Sequence, residues 1–526
     1  MQDGQKSQVF ARKRQVFVHM TEKKAFPKEE IMDYISTRSA FCRVDSARAV
    51  LDGLAPDGGL YLPETLPDFD WQACLKLDTK AMAKMILSVL LPEIPKMDNL
   101  VDRAYDGKFE TEALTPLVKV GDRYVLELFR GPTSAFKDVA LCMLPQLMTA
   151  AKTAKGEEKD ILILTATSGD TGKAALEGFR DVPGIRICVF YPHGGVSAVQ
   201  RAQMVTQEGT NVTVAAVRGN FDDAQTGVKN IFTACRDREL PVVLSSANSI
   251  NIGRLAPQIT YYFAAYRCLL DRGEIAMGDQ VNFSVPTGNF GDILAGFLAK
   301  QLGLPVGRLI CASNSNNVLT EFLETGRYNR IRLFYKTKSP SMDILVSSNL
   351  ERLLYLLSGD CELVKSLMDQ LASEGRYHIP PYLHTRIRNH FWGGSCGDLT
   401  ALQTIGAVWK ERNYLMDPHT AVGWDVATDY VNQTGDDRPM VVLSTASPYK
   451  FPAAVLSALT AEEGDLLKWT SHLLKPQEGD EFAMMERLEE MTGVAIPRNL
   501  RGLREKEERH TTVIDKDEML PFVLGL

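Results

Sequence analysis

Beyond residue 114 the chain alternates short apolar, β-rich runs with longer stretches whose apolar residues recur at helical spacing. Strand-like runs fall at 124–129, 161–167, 187–191, 211–217, 242–245, 281–285 and 308–312, each followed by a helical stretch, as at 136–154 and 172–179. Crossovers of this kind join parallel neighbours. The pattern therefore predicts an α/β fold with mainly parallel, twisted sheets flanked by helices. In such a fold ligands sit at the carboxyl ends of strands.

The flanking regions read differently. The run DGGLYLPETLPDF from residue 57 is loop-like, 80–97 reads as a helix ending at prolines, and together they suggest a separate N-terminal unit. Strands fade over 341–416, where amphipathic stretches at 350–357 and 363–371 suggest a helical insertion; the strand 440–444 then rejoins the sheet. The resulting division is an N-terminal extension 1–31, an N-terminal domain 32–113, an α/β core 114–340, the insertion 341–416, a return to the core 417–470 and a C-terminal segment 471–526. The extension is basic at 12–14 and shows no period before Met32, which reads as a candidate start. The run REKEER at 504–509 reads as solvated surface.

Composition narrows the function. With 526 residues, 45% hydrophobic and 24% charged, the chain is globular rather than disordered or fibrous. A net charge of -7, from 59 basic and 66 acidic residues, gives no positive field for nucleic acid or an acidic membrane. Nine cysteines between Cys42 and Cys396 form no CxxC pair, which suits reduced thiols in the cytoplasm and offers no zinc site. The apolar runs fall short of the roughly 18 residues that span a bilayer, and a cytoplasmic chain without a membrane partner is expected.

Chemistry concentrates at junctions. TSGDTG (167–172) follows the apolar ILIL and opens a helix, so its N–H groups and hydroxyls suit a carboxylate or phosphate as well as they suit an N-cap with turn glycines. PTGNFGD (286–292) likewise follows VNFSV; Gly288 and Gly291 would let backbone approach an anion closely, or would simply make a turn. STASPYK (444–450) follows MVVL and puts hydroxyls at a strand end, either for a neutral ring nitrogen or merely to terminate the strand. In GPTSAFKD (131–138), Lys137 falls in the first turn of a helix capped near Thr133 or Ser134, where the helix dipole and partial burial favour the free amine that attacks an aldehyde. The ordinary alternative is an exposed lysine beside Asp138.

These motifs, together with YISTR (34–38), DGGLYLP (57–63), SSANSINIGRL (245–255), SMDILVSSNLERL (341–353) and DPHTAVG (417–423), closely resemble the threonine synthase family in its long-chain form. The resemblance runs from about Met32 to the end of the chain. It implies a fold type II enzyme dependent on pyridoxal 5'-phosphate, in which Lys137 carries the cofactor. Gly288, Asn289, Phe290 and Gly291 would cup the cofactor phosphate with Asp292 beside them, and Thr445 would face the pyridine nitrogen. Ser168, Asp170 and Thr171 would receive the substrate carboxylate, and Asn248, Ser249 and Arg254 the substrate phosphate. The implied reaction converts O-phospho-L-homoserine and water to L-threonine and phosphate by γ-elimination and β-addition, with the freed lysine amine moving the α-proton.

Two positions depart from the family. Ser39 follows STR where glycine is usual, and Ser447 stands where a histidine is common. The second departure leaves room for a phospho-lyase giving a 2-oxo acid; a catalytically silent cofactor-binding protein is the third alternative. Lys450 keeps its place as a candidate substrate contact, His419 is expected as a structural residue near the site, and His384 and His390 as surface or packing residues. The oligomeric state, monomer or homodimer, is left open.

Overall fold

A computed structural model describes residues 32–526 apart from 168, 236–237, 462–469 and 471–478, and apart from the side chain of Asp222. The extension 1–31 expected from the sequence lies outside the described residues.

Val281–Pro286 is buried along its whole length and runs near the centre of a six-stranded sheet. The order is Phe391–Ser395, Val306–Ser313, Val281–Pro286, Met440–Ser444, Arg123–Glu127 and Leu117–Val120, and only the last pair is antiparallel. Helices Gly291–Gln301 and Pro418–Thr434 pack on its strands, which explains why these strands are apolar at successive positions rather than alternating. A second sheet is wholly parallel: Val513–Asp515, Val212–Arg218, Ile185–Pro192, Asp160–Ala166 and Val242–Ser245. The βαβ pattern is thus correct but distributed over two sheets, because the chain crosses from one to the other after helix Lys137–Lys155 and returns after Val242–Ser245.

Among the strands that escape the sequence pattern, two extend the edges of the large sheets. Phe391–Ser395 (FWGGS) lies within the stretch expected to be helical, yet it pairs in parallel with Val306–Ser313. Its glycines read as breakers, but a Cβ on Gly393 would lie 3.2 Å from the Thr320 backbone and one on Gly394 2.7 Å from Val426, so they admit helices on both sides. Val513–Asp515 follows the exposed run 504–509 and closes the edge of the second sheet against Ala216–Arg218.

At the N-terminal end Ser39–Val44, Tyr34–Ser36 and Tyr61–Pro63 form an antiparallel sheet. The expected helix 80–97 is split: Thr79–Leu90 stops because Leu91 precedes a proline and leaves the helical conformation, at φ -129° and ψ 57°, and Met97–Tyr105 starts afresh. Ser39 stands half-buried at the start of its strand with no positive φ, so it replaces the family's glycine without strain. Thr37 and Arg38, just before it, grip Glu351: the hydroxyl donates at 2.5 Å and the guanidinium in a bidentate pair at 2.7 Å.

Candidate active site

Helix Lys137–Lys155 begins at the lysine itself, with Phe136 in the cap position and no side-chain cap. The expected cap at Thr133 or Ser134 is not formed. Instead Asp138 turns back to accept from the Thr133 N–H at 2.9 Å and its hydroxyl at 2.5 Å, which rigidifies the loop and takes Asp138 away from the Lys137 ammonium. Burial pushes the Asp138 carboxyl up to about 6, against these hydrogen bonds. Lys137 is 8% exposed, with Nζ 4.8 Å above the Phe136 ring and 3.7 Å from an oxygen of Asp170. Burial lowers its pKa; the charges of Lys450 and Arg254 push the same way, while Asp170 and Asp138 oppose them. Such an amine is poised as a nucleophile.

Asp170 opens helix Asp170–Phe179 and is held by four groups: Lys450 Nζ at 2.6 Å, Gln200 Nε2 at 2.9 Å, Ser341 Oγ at 3.4 Å and Lys137. Burial alone would raise its pKa, but the charges of Lys450 and Lys137 and the hydrogen bonds hold it well below the usual carboxylate range. An ionised Asp170 cannot itself accept a substrate carboxylate. Thr171 is half-buried beside it, and Ser168 lies outside the described residues. Lys450, fully buried, also donates to the Thr133 carbonyl at 3.1 Å.

The loop 286–292 joins strand Val281–Pro286 to helix Gly291–Gln301. Its carbonyls are tied outward: Gly288 O accepts from Ser347 Oγ at 2.8 Å, and Asn289 O from the N–H and side chain of Asn349 at 3.0 and 3.1 Å. Among the described residues nothing accepts from the N–H groups of Gly288, Asn289 and Phe290. Phe290, at φ 62°, bends them into a nest at a helix N-terminus, the arrangement that receives a phosphate. A Cβ on Gly288 would sit 2.9 Å from the Ser341 carbonyl, so the loop is pressed against that segment. Asp292 accepts from Tyr261 at 2.5 Å and Tyr262 at 3.1 Å, and its other oxygen is buried without a partner. Burial raises its pKa to about 6 in spite of the tyrosines and of Lys137's charge, which reaches it.

A buried arginine acts on the same lysine through its charge. Arg254 ends the turn Ile252–Leu255 and is 3% exposed; Nη1 donates to Ala247 O at 2.6 Å, Nε has no partner, and no carboxylate of the described residues pairs with it. Burial lowers its pKa to about 10. Asn248 and Ser249 are half-buried on the preceding loop. Thr445, at the end of strand Met440–Ser444, is 5% exposed, and its carbonyl accepts from Phe136 N at 2.8 Å, next to the lysine.

Several residues without a role in the sequence reading hold this geometry. Asn349 donates to Ser249 O at 3.2 Å as well as to Asn289 O, joining the two anion loops. Arg352, fully buried, grips Asn349 Oδ1 and Ile250 O at 2.5 Å and Tyr61 O at 3.1 Å. The signal was present in the motif as an Asn, a Glu and an Arg interrupting an otherwise apolar helix. His419 is structural as expected: Asp417 holds Nδ1 at 2.5 Å, so the proton sits there, and Nε2 accepts from the N–H of Ser341 at 3.1 Å. Ser447 caps the turn Pro448–Lys450 and is 1% exposed, with its N–H on the Ser134 carbonyl at 3.1 Å. His384 bonds the Leu323 carbonyl at 2.9 Å and His390 packs on Phe297 at 5.2 Å, both away from the site.

A buried amine of lowered pKa, three free N–H groups in a nest and a neutral hydroxyl at a strand end fit pyridoxal 5'-phosphate. Fold and site together define a fold type II enzyme dependent on that cofactor, and the family model for pyridoxal-phosphate dependent enzymes matches residues 110–446. Models for the threonine synthase N terminus and C-terminal region match 33–105 and 420–520. The threonine synthase of Pseudomonas aeruginosa is 41% identical, over 81% of this chain and 90% of its own length; that of Saccharomyces cerevisiae is 38% identical, over 81% and 89%. The chain therefore belongs to the threonine synthase family. Human threonine synthase-like 1 is 37% identical over 79% of this chain, which spans 58% of that relative's length. Among solved structures, the pyridoxal-phosphate-bound threonine synthase of Brucella melitensis superposes with a TM-score of 0.79 at 38% identity, covering 94% of this chain and 98% of that one. The yeast enzyme gives 0.81 at 32% identity, with the same coverage. Among the described residues no helix is long and apolar enough to cross a membrane.

Proposed function

We propose that the protein converts O-phospho-L-homoserine and water to L-threonine and inorganic phosphate in the cytoplasm. The observation that carries this is the pairing of one amine with two anion positions: Lys137 lies in the fields of both Asp292, beside the nest, and Arg254, which is buried without a counter-ion. A cofactor phosphate in the nest of Gly288, Asn289, Phe290 and Gly291 leaves Arg254, with Asn248 and Ser249, for a phosphate on the substrate. A planar guanidinium suits a phosphate dianion, and leaving it buried and unpaired would otherwise be costly.

The cofactor, when bound, supplies the electron sink for the carbanion chemistry. The protein does the rest. Lys137 Nζ, its pKa lowered by burial and by Lys450, accepts and returns protons at the substrate carbons. Asp170, ionised, holds Lys137 and Lys450 at fixed positions, and Lys450 supplies the positive charge for the substrate carboxylate beside Thr171 and Ser168. Thr445, a neutral hydroxyl, would hold the ring nitrogen. The carboxylate contacts are N–H, hydroxyl and ammonium groups rather than Asp170 itself. The nine cysteines are all free thiols, which accords with a reducing compartment.

Cofactor-loaded protein is expected to release phosphate and threonine from O-phospho-L-homoserine in equal amounts. Release of neither refutes the proposal. Ser447 favours a second reading, a phospho-lyase: its hydroxyl is engaged in capping where the family places a histidine. Phosphate with a 2-oxo acid in place of threonine would establish that alternative.

A further inference from the structure

Asn349 occupies the cap position of helix Leu350–Ser358, where an asparagine ordinarily accepts from the first free N–H groups of its own helix. Its side chain makes no such bond. Oδ1 instead accepts from Arg352 Nη1 at 2.5 Å, while Nδ2 donates to Asn289 O at 3.1 Å and to Ser249 O at 3.2 Å. Ser249 Oγ lies within reach of the same nitrogen at 3.3 Å. An amide that forgoes its local role thus bridges two remote loops. Those loops meet at a glycine: a Cβ on Gly291 would lie 3.4 Å from Asn349 Nδ2 and 3.6 Å from Ser249 Cβ.

Each bridged carbonyl belongs to a planar peptide whose N–H points the opposite way. Holding Asn289 O therefore aims the Phe290 N–H into the nest, and Ser347 Oγ does the same for the Asn289 N–H through Gly288 O at 2.8 Å. Holding Ser249 O likewise turns the Ile250 N–H away from the bridge, and among the described residues that N–H has no acceptor. The N–H of Asn349 also binds Asn289 O at 3.0 Å. Backbone alone thus ties Asn349 to the nest, and its side chain is what ties the nest to Ser249.

Arg352 backs the bridge. Fully buried, it grips Ile250 O at 2.5 Å and Tyr61 O at 3.1 Å besides Asn349, so all three partners of its fork are neutral oxygens. Burial lowers its pKa to about 9, which leaves it charged at neutral pH and able to polarise the amide it holds.

We infer that the Asn349 side chain is a positioning residue for both anion loops, setting the N–H groups of one for the cofactor phosphate and those of the other for a phosphate at Arg254. The inference rests on the proposed reading of these two positions, but not on turnover.

The test uses Asn349→Ala and Asn349→Asp in the full chain. Alanine removes no cap bond, so helix Leu350–Ser358 is expected to form; aspartate keeps the volume and the bond from Arg352 and removes only the donors. Fluorescence titration of cofactor-free protein should show affinity for pyridoxal 5'-phosphate falling roughly tenfold in both variants, the scale of one or two lost hydrogen bonds. Affinity for pyridoxal, which lacks the phosphate, should stay within about twofold of wild type. Calorimetric titration of cofactor-loaded protein with inorganic phosphate should show a Kd weakened by roughly tenfold as well. An equal loss for pyridoxal overturns the inference, because a general distortion of the pocket does not single out phosphate. So does a loss at one phosphate position alone, wild-type behaviour of Asn349→Asp, or a wild type that binds no phosphate at millimolar concentration. Failure of the proposed reaction would show separately, as missing threonine with these titrations unchanged.

Discussion

Lys450→Met removes the charge that shares Asp170 with Lys137 while keeping the length of the side chain. Both ammoniums rest on one carboxylate, Lys450 at 2.6 Å and Lys137 at 3.7 Å, and Lys450's charge opposes protonation of Lys137. Two unit charges on the order of 6 Å apart, at an effective dielectric of about 20, repel by roughly 3 kcal/mol. Removal also leaves Asp170 to pair with Lys137 alone, which acts in the same direction. The Lys137 pKa therefore rises in the variant, and the fraction of free amine at neutral pH falls. The assay is the rate at which cofactor-free protein takes up pyridoxal 5'-phosphate, followed by absorbance as a function of pH. The midpoint of the acid limb should move to higher pH, with Lys450→Arg keeping the wild-type profile. An unmoved limb, or one shifted to lower pH, would show that Lys450 does not govern the reactive amine.

Asp292 has a native pKa of about 6 against an ordinary 3.8, so the native state binds the extra proton and its stabilisation is complete below about 4 and lost as pH rises through 6. Two units correspond to roughly 3 kcal/mol, and the melting temperature of cofactor-free Asp292→Asn should gain on wild type between pH 4 and pH 7, in amounts of about that order; a pH-independent difference would contradict the assignment. Arg254→Gln loses a charge-assisted hydrogen bond to the substrate phosphate, so kcat/KM should fall roughly 10- to 100-fold with the cofactor absorbance retained. Gly288→Ala forces a Cβ to within 2.9 Å of the Ser341 carbonyl, and the cofactor Kd measured by fluorescence titration should rise by about one to two orders of magnitude; wild-type affinity would mean that the loop yields.

Much of the site was legible because each junction combines a strand's apolar run with a polar, glycine-bearing turn, a local pattern that survives folding. Lys137, the loop 288–291 and Arg254 were all singled out this way. The partners of these groups were not. Asp170 read as a receiver of carboxylate until the structure placed Lys450, 280 positions along the chain, against it. Phe391–Ser395 was read as part of a helical insertion because two glycines hide a strand when the helices they accommodate are unknown.

Sequence alone determined the order of βαβ units and the turns that close each strand, and singled out Lys137 as a candidate, since periodicity and backbone preference act over a few residues. Tertiary structure decided which charges meet. It split the strands between two sheets, brought Lys450 and Gln200 to Asp170 and threaded Arg352 through three segments. Burial and Coulomb interactions depend on distances between remote parts of the chain, and those distances exist only once the chain has packed.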